Sequence, residues 1–213
     1  MTTHDDQMNF FNVMSKKIKK DVECYAFGGN AMIFYGYKDD TKYIDLVFET
    51  EEDRKEFIRV IELEGFNQTG LIDIYTPEKL KDPYKPLMYK SGFVRLDLFL
   101  KQIFKALLSP KMKEDLFAIH DFKNGHRLRV KVLRKEHLVM LKAVTDRQND
   151  FDDIRTIIEK EKYFDWQYFI DEVLWQYEQG NEWIVLDTEK MLRELKKYVF
   201  VEQKYLDQLY KVH

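Results

Sequence analysis

Two aspartates set in apolar runs are the residues of this chain best suited to chemistry. In Tyr43-Ile44-Asp45-Leu46-Val47-Phe48, and again in Phe93-Val94-Arg95-Leu96-Asp97-Leu98-Phe99-Leu100, one carboxylate interrupts a β-rich segment. A charge placed among apolar neighbours on a strand is costly unless it is paired, hydrogen-bonded or bound to a metal. Each aspartate is therefore expected at an exposed edge or in a site. Strand alternation puts Arg95, Asp97 and Phe99 on one side and Val94, Leu96 and Leu98 on the other. Two carboxylates from separate strands can share a divalent cation such as Mg²⁺, a hard ion that prefers oxygen ligands.

A second feature gives that pair a context. The stretch Tyr25-Ala26-Phe27-Gly28-Gly29-Asn30-Ala31-Met32-Ile33-Phe34-Tyr35-Gly36 reads as a short apolar strand meeting a double glycine and passing straight into a helix. Gly28 and Gly29 permit close backbone approach, and free N–H groups at a helix start suit a phosphate. An ordinary tight strand-to-helix turn uses the same residues. Asn30 is placed either to bind phosphate or to cap the helix. Lys42 and Arg95 flank the carboxylates, where they contact a triphosphate or simply pair with an acid. Lys142 faces the cleft from a later helix or is solvated.

The elements needed to position these residues are legible in the hydrophobic period. Strands are expected at Tyr25–Phe27, Ile44–Phe48, Ile72–Tyr75, Phe93–Leu100, and at Phe117–Phe122 and Arg127–Leu133 around the Asn124-Gly125 turn. Helices are expected at Phe10–Lys20, from Gly29 onward, and at Glu51–Glu64 behind a Thr50 cap. After residue 133 the pattern turns helical: Arg134–Thr145, Phe151–Lys160 behind an Asp150 cap, a helix carrying Trp166, Phe169, Ile170, Val173, Leu174 and Tyr177 behind Asp165, and Thr188–Tyr210. The predicted organisation is an α/β (α+β) domain over 1–133, a mixed sheet flanked by helices, with a helical C-terminal region over 134–213 packed on it.

The residues Gly28-Gly29, Asp45 and Asp97 resemble the nucleotidyltransferase superfamily that includes DNA polymerase beta and the minimal nucleotidyltransferases. The pattern there is Gly-Gly or Gly-Ser, a short spacer, Asp-x-Asp, and a third acid on a later strand. Leu138–Glu159, with Lys142, Arg147, Asp150 and Asp153, also looks like the helical segment that follows the sheet in uncharacterised relatives, some from toxin–antitoxin systems. The resemblance implies the nucleotidyltransferase fold and transfer of a nucleoside monophosphate from a nucleotide triphosphate to a hydroxyl on protein, RNA or a small molecule. It implies Asp45 and Asp97 as catalytic and metal-holding carboxylates, with Mg²⁺ as cofactor. It implies Gly28, Gly29, Asn30, Lys42, Arg95 and Lys142 as nucleotide-binding residues. One departure is large, because the first acid of Asp-x-Asp is Tyr43 here. A neutral phenol replaces a metal ligand, which impairs or abolishes transfer. A non-catalytic nucleotide-binding or partner-binding protein, such as a toxin–antitoxin component, is the alternative, and an interaction protein using the aromatic C-terminal helices is a third.

Composition narrows the class without choosing among these. The 213 residues are 45% hydrophobic and 34% charged, with one cysteine and a net charge of -3. That is the balance of a globular chain, with no internal disulfide and no bulk attraction to nucleic acid. No apolar run reaches the length of a membrane span, so a cytoplasmic protein without a membrane partner is expected, with a homodimer open to the last helix. The strand Arg127-Leu128-Arg129-Val130-Lys131 alternates basic and apolar residues, either as a solvated face or as a track for a nucleic-acid backbone. The five histidines show no metal-ligand spacing.

Overall fold

The computed structural model describes residues 2–70, 85–145 and 147–212. The expected strand Ile72–Tyr75 lies outside the described residues. At the N-terminus, Thr3 and Asp6 form a reciprocal capping box: the Asp6 N–H donates to Thr3 Oγ1 (3.3 Å) and the Thr3 N–H to Asp6 Oδ2 (2.9 Å). Two otherwise orphaned donors are satisfied there. Helix α1 therefore occupies His4–Ser15 rather than Phe10–Lys20.

The chain then runs through β1 (Val22–Phe27), α2 (Gly28–Phe34), β2 (Tyr43–Phe48) and α3 (Glu51–Leu63), where the Thr50 hydroxyl accepts the Asp53 N–H at 3.1 Å as the N-cap. Next come β3 (Asn67–Gln68), β4 (Leu87–Ser91), β5 (Val94–Leu100), the two-residue strands β6 (Gln102–Ile103) and β7 (Ala106–Leu107), helix α4 (Pro110–Glu114), and the hairpin β8 (Leu116–Asn124) and β9 (His126–Leu133). Gly125 makes the hairpin turn with φ of 95°. The main path of the mixed sheet is β3-β4-β5-β2-β1-β9-β8. Its central pairs β2–β5 and β1–β9 are parallel, and β1–β2 is antiparallel.

Alternation divides this sheet into two faces. Val22, Cys24 and Ala26 of β1, Ile44 and Leu46 of β2, and Leu96 and Leu98 of β5 pack with Phe11 and Met14 of α1 and with Phe57, Val60 and Ile61 of α3. Burying each large side chain of this cluster stabilises the fold by about 1.5–3 kcal/mol. The intervening residues Tyr43, Asp45, Arg95 and Asp97 are thereby sent to the opposite face.

Two compact units emerge: Met1–Phe104 with Leu116–Leu133, and Lys105–Asp115 with Arg134–His213. The sequence period marks the change at 133, but not the transfer of Lys105–Asp115 to the helical unit. Gln176 explains that transfer. Its buried amide brackets Leu107, accepting the Leu107 N–H (2.9 Å) and donating to the Leu107 carbonyl (2.8 Å), and Asn181 donates to the Lys105 carbonyl (2.7 Å).

The helical unit holds α5 (Lys135–Ala143), α6 (Gln148–Lys160), α7 (Trp166–Glu178), α8 (Trp183–Leu195) and α9 (Gln203–Tyr210). Asp165 caps α7 as expected, accepting the Tyr168 N–H at 3.0 Å, and Phe169, Ile170 and Val173 are fully buried. Helix α6 starts at Gln148 behind Arg147, so Asp150 lies inside the first turn and is not its cap. The expected helix Thr188–Tyr210 is two helices. Val199, Phe200 and Val201 separate them, a β-branched and aromatic run that loses side-chain freedom in a helix.

Candidate functional site

Strand register brings the two aspartates together. Asp45 of β2 is the direct partner of Asp97 of β5, so the carboxylates leave the same face of neighbouring parallel strands, which run about 4.8 Å apart. On the far side of β2, Asp45 pairs with Phe27, the residue before the double glycine. Asp97 is 6% exposed and lies opposite Met88 of β4. Phe27 and Phe99 meet edge to face at 5.3 Å and supply an apolar floor.

The double glycine serves this arrangement directly. Gly28 has a φ of 65°, and a Cβ there would stand 2.2 Å from Asp45 Oδ2, a separation no real atom pair tolerates. Its bare Cα is what lets the carboxylate lie over the start of α2. A Cβ at Gly29 would stand 2.7 Å from Thr41 Oγ1. Thr41 is itself fixed by a backbone bridge to Thr2, and its hydroxyl accepts the Tyr43 N–H at 3.2 Å.

Asn30 is fully buried, and its Oδ1 accepts the Asp45 N–H at 3.0 Å, tying α2 to β2 at the level of the carboxylate. The side-chain oxygen thus holds a strand. The Nδ2 atom is buried without a partner.

Arg95 and Tyr43 complete the cluster one step along the strands, where they are register partners. The guanidinium donates from Nη2 to Asp97 Oδ2 at 2.8 Å, and its Cζ lies 4.2 Å from the centre of the Tyr43 ring. Tyr43 is 43% exposed. A cation over an aromatic face adds about 0.5–1 kcal/mol at such a site. The Arg95 Nε is buried with no partner.

Two expected residues, Lys42 and Lys142, have these surroundings. Lys42 is exposed and contributes its carbonyl, which accepts the Arg95 N–H at 3.0 Å. Lys142 belongs to the helical unit, is 7% exposed, and donates to Asp150 Oδ1 (2.9 Å) and Asp153 Oδ2 (2.7 Å). Lys142 is thus not a solvated lysine: its ammonium is enclosed between two carboxylates. Asp150 also accepts from Thr145 Oγ1 (2.6 Å) and Arg147 Nε (2.5 Å).

The basic strand β9 is likewise engaged. Arg129 donates to Asp121 and Glu23, and Lys131 donates to Glu23 and to the Tyr25 hydroxyl. That face is an ion-pair network rather than an open basic track. Sequence reasoning missed the Asn30–Asp45 tie and the Arg95–Tyr43 stack. The i, i+2 spacing of Tyr43 and Asp45 with that of Arg95 and Asp97 carried the second signal, because it puts all four residues on one face once the strands are neighbours.

The donor set is two carboxylates beside a phenol and a guanidinium. Among the described residues, no group of three or more His, Cys, Asp or Glu side chains is arranged to hold a metal ion. Nor is any helix among them long and apolar enough to cross a membrane. No protein-family model matches the chain, and no curated protein matches it.

Proposed function

We propose that this chain is a nucleotidyltransferase-like protein that binds a nucleoside triphosphate at the Asp45–Asp97 pair and has impaired or absent nucleotidyl transfer. The observation that carries the reading is the register match of Asp45 with Asp97 beside a Gly28 turn where any side chain would displace the Asp45 carboxylate. Two adjacent carboxylates fit one Mg²⁺ carried in with a triphosphate, and the ion would neutralise phosphate charge. A two-ion arrangement does not fit, since Tyr43 offers a neutral phenol where a third carboxylate would stand and Arg95 already bonds Asp97. Electrostatic stabilisation is the main protein contribution to such transfer, so its loss slows the reaction by orders of magnitude.

In this reading Asp45 and Asp97 hold the cation, Asn30 keeps Asp45 in place, Gly28 leaves it room, and Arg95 meets phosphate. Acceptor groups on protein or RNA belong to the enzyme reading, and a sensor or a toxin–antitoxin component belongs to the non-catalytic one. The Arg95–Asp97 bond favours the latter.

Calorimetry with ATP, GTP, CTP and UTP, with and without Mg²⁺, tests the proposal. At least one nucleotide is expected to bind at millimolar concentration with Mg²⁺, and Asp45→Asn to weaken it about tenfold or more. Failure of all four under both conditions overturns the reading. Labelled triphosphates then separate slow transfer from none.

A further inference from the structure

Arg95 is placed where a metal would have to work. Its Nη2 bonds Asp97 Oδ2, an oxygen that a divalent cation at this pair needs, and Asp97 is almost wholly buried around that contact. A guanidinium holds its charge throughout the physiological pH range, so it cannot yield the oxygen by losing a proton. It can yield only by moving. The Tyr43 ring already lies beneath it at 4.2 Å, on the partner residue of the neighbouring strand, and both side chains keep an outlet to solvent: the Arg95 side chain is 22% exposed and Tyr43 43%. A cation held by a carboxylate on one side and a π face on the other can give up the first without losing the second.

We propose that Arg95 is a resident counter-cation of this site, that a divalent cation gains Asp97 Oδ2 by displacing it, and that polyphosphate assists entry by accepting the released guanidinium. Metal alone is opposed, because placing a second positive charge against Asp97 repels Arg95 and forfeits its bond. Metal with a polyphosphate is not opposed, since the ligand brings anionic oxygens that pair with a guanidinium in two-point geometry. The two ligands therefore strengthen each other's binding, as linkage requires of any coupled pair. The polyphosphate half rests on the nucleotide reading above; the metal half rests only on the Arg95–Asp97 bond.

Titration of Mn²⁺ alone, read by the free-ion paramagnetic signal, tests the metal half. Arg95→Gln, folded by circular dichroism, is expected to bind Mn²⁺ about tenfold more tightly than the native chain, and the gain is expected to vanish in Arg95→Gln/Asp97→Asn. Equal or weaker Mn²⁺ binding in Arg95→Gln overturns the proposal. Repeating the titration with inorganic tripolyphosphate tests the coupling: it should strengthen Mn²⁺ binding beyond the metal–tripolyphosphate association itself in the native chain and not in Arg95→Gln. Where Arg95→Gln fails to fold, Arg95→Lys decides, because a lysine keeps the charge and native-like weak Mn²⁺ binding is expected; a gain there overturns the idea. Should every nucleotide fail to bind while Arg95→Gln still gains Mn²⁺, the nucleotide reading falls and the counter-cation role stands.

Discussion

The molecule builds two clusters from the same ingredients, aspartates around a base, and closes only one of them. In the helical unit, Lys142 sits between Asp150 and Asp153, with side chains 8%, 8% and 12% exposed, and Thr145 and Arg147 bond Asp150 as well. In the sheet unit, Arg95 bonds Asp97 from a side chain 22% exposed and rests on a Tyr43 that is 43% exposed. Burial by itself would lower the Lys142 pKa, yet Asp150 and Asp153 together hold the ammonium above its ordinary value. Burial likewise acts to raise the Asp150 pKa, and the charge of Lys142 with the hydrogen bonds around it brings the carboxyl below its usual range. A closed cluster that satisfies its own charges is a structural part. An open one, held by a side chain that can swing, is where a ligand can compete.

The sharpest way to break that comparison is to remove each base. Lys142→Met leaves two buried carboxylates near each other, and breaking a buried pair in this way costs about 3–5 kcal/mol. Urea unfolding followed by circular dichroism is expected to show that loss. Arg95→Gln removes a partner whose own side chain is 22% exposed from an Asp97 side chain that is 8% exposed, and because that arginine is in part solvated its loss is expected to cost less than the loss of Lys142. Equal losses for the two variants would mean that both clusters are structural and that the sheet site is closed.

The second test uses pH. His137 is fully buried in the helical unit. Tyr168 donates its hydroxyl proton to Asp115 at 2.8 Å, so the imidazole Nε2–H donates to the tyrosine oxygen at 3.0 Å. Burial first, then the Arg134 and Lys111 charges against the opposing pull of Asp115, bring the His137 pKa down to about 3. An unfolded histidine titrates near about 6.5. Between those values the unfolded chain binds the extra proton, so stability falls as pH drops, by up to about 1.4 kcal/mol per pH unit. The Asp150 contribution is present above its unfolded pKa and is lost only in stronger acid, as pH falls through the lowered native value. Urea midpoints measured from pH 7 to pH 4 are expected to decline in the native chain and to flatten in His137→Phe. An unchanged slope in that variant would place the acid sensitivity elsewhere.

Much of this was legible in the sequence, and the parts that were not have physical reasons. Apolar alternation around Asp45 and Asp97 was enough to say that each carboxylate needed a partner or a site, because a strand face is fixed by parity. Parity could not say that the strands are neighbours in register, which depends on parallel pairing across a long crossover. The double glycine was legible as a close approach, but not the atom that approaches it, Asp45 Oδ2. The partners of Lys142 were not legible because spacing gives a helix face and not what packs there, and two aspartates of the next helix, α6, bond it. The Lys105–Asp115 segment was assigned to the wrong unit for a similar reason, since one buried glutamine decides it from 69 positions away.

The finest test sets two glycines against each other. Gly28 and Gly180 both have left-handed backbone, with φ of 65° and 93°. A side chain in that conformation costs about 1–2 kcal/mol wherever it occurs. At Gly180 an added Cβ would meet nothing within 4 Å, whereas at Gly28 it would strike the Asp45 carboxylate. Gly180→Ala is therefore expected to show the backbone cost alone in urea unfolding and to leave Mn²⁺ binding at its native value. Gly28→Ala should show the same cost and, because the methyl displaces Asp45 from its position opposite Asp97, lose Mn²⁺ and tripolyphosphate binding as well. The stability difference between the two is small, since a carboxylate in a partly open site can turn aside; the binding difference is not. If Gly28→Ala binds as the native chain does, the contact between this turn and Asp45 is only packing, and the sheet cluster belongs with the helical one as structure.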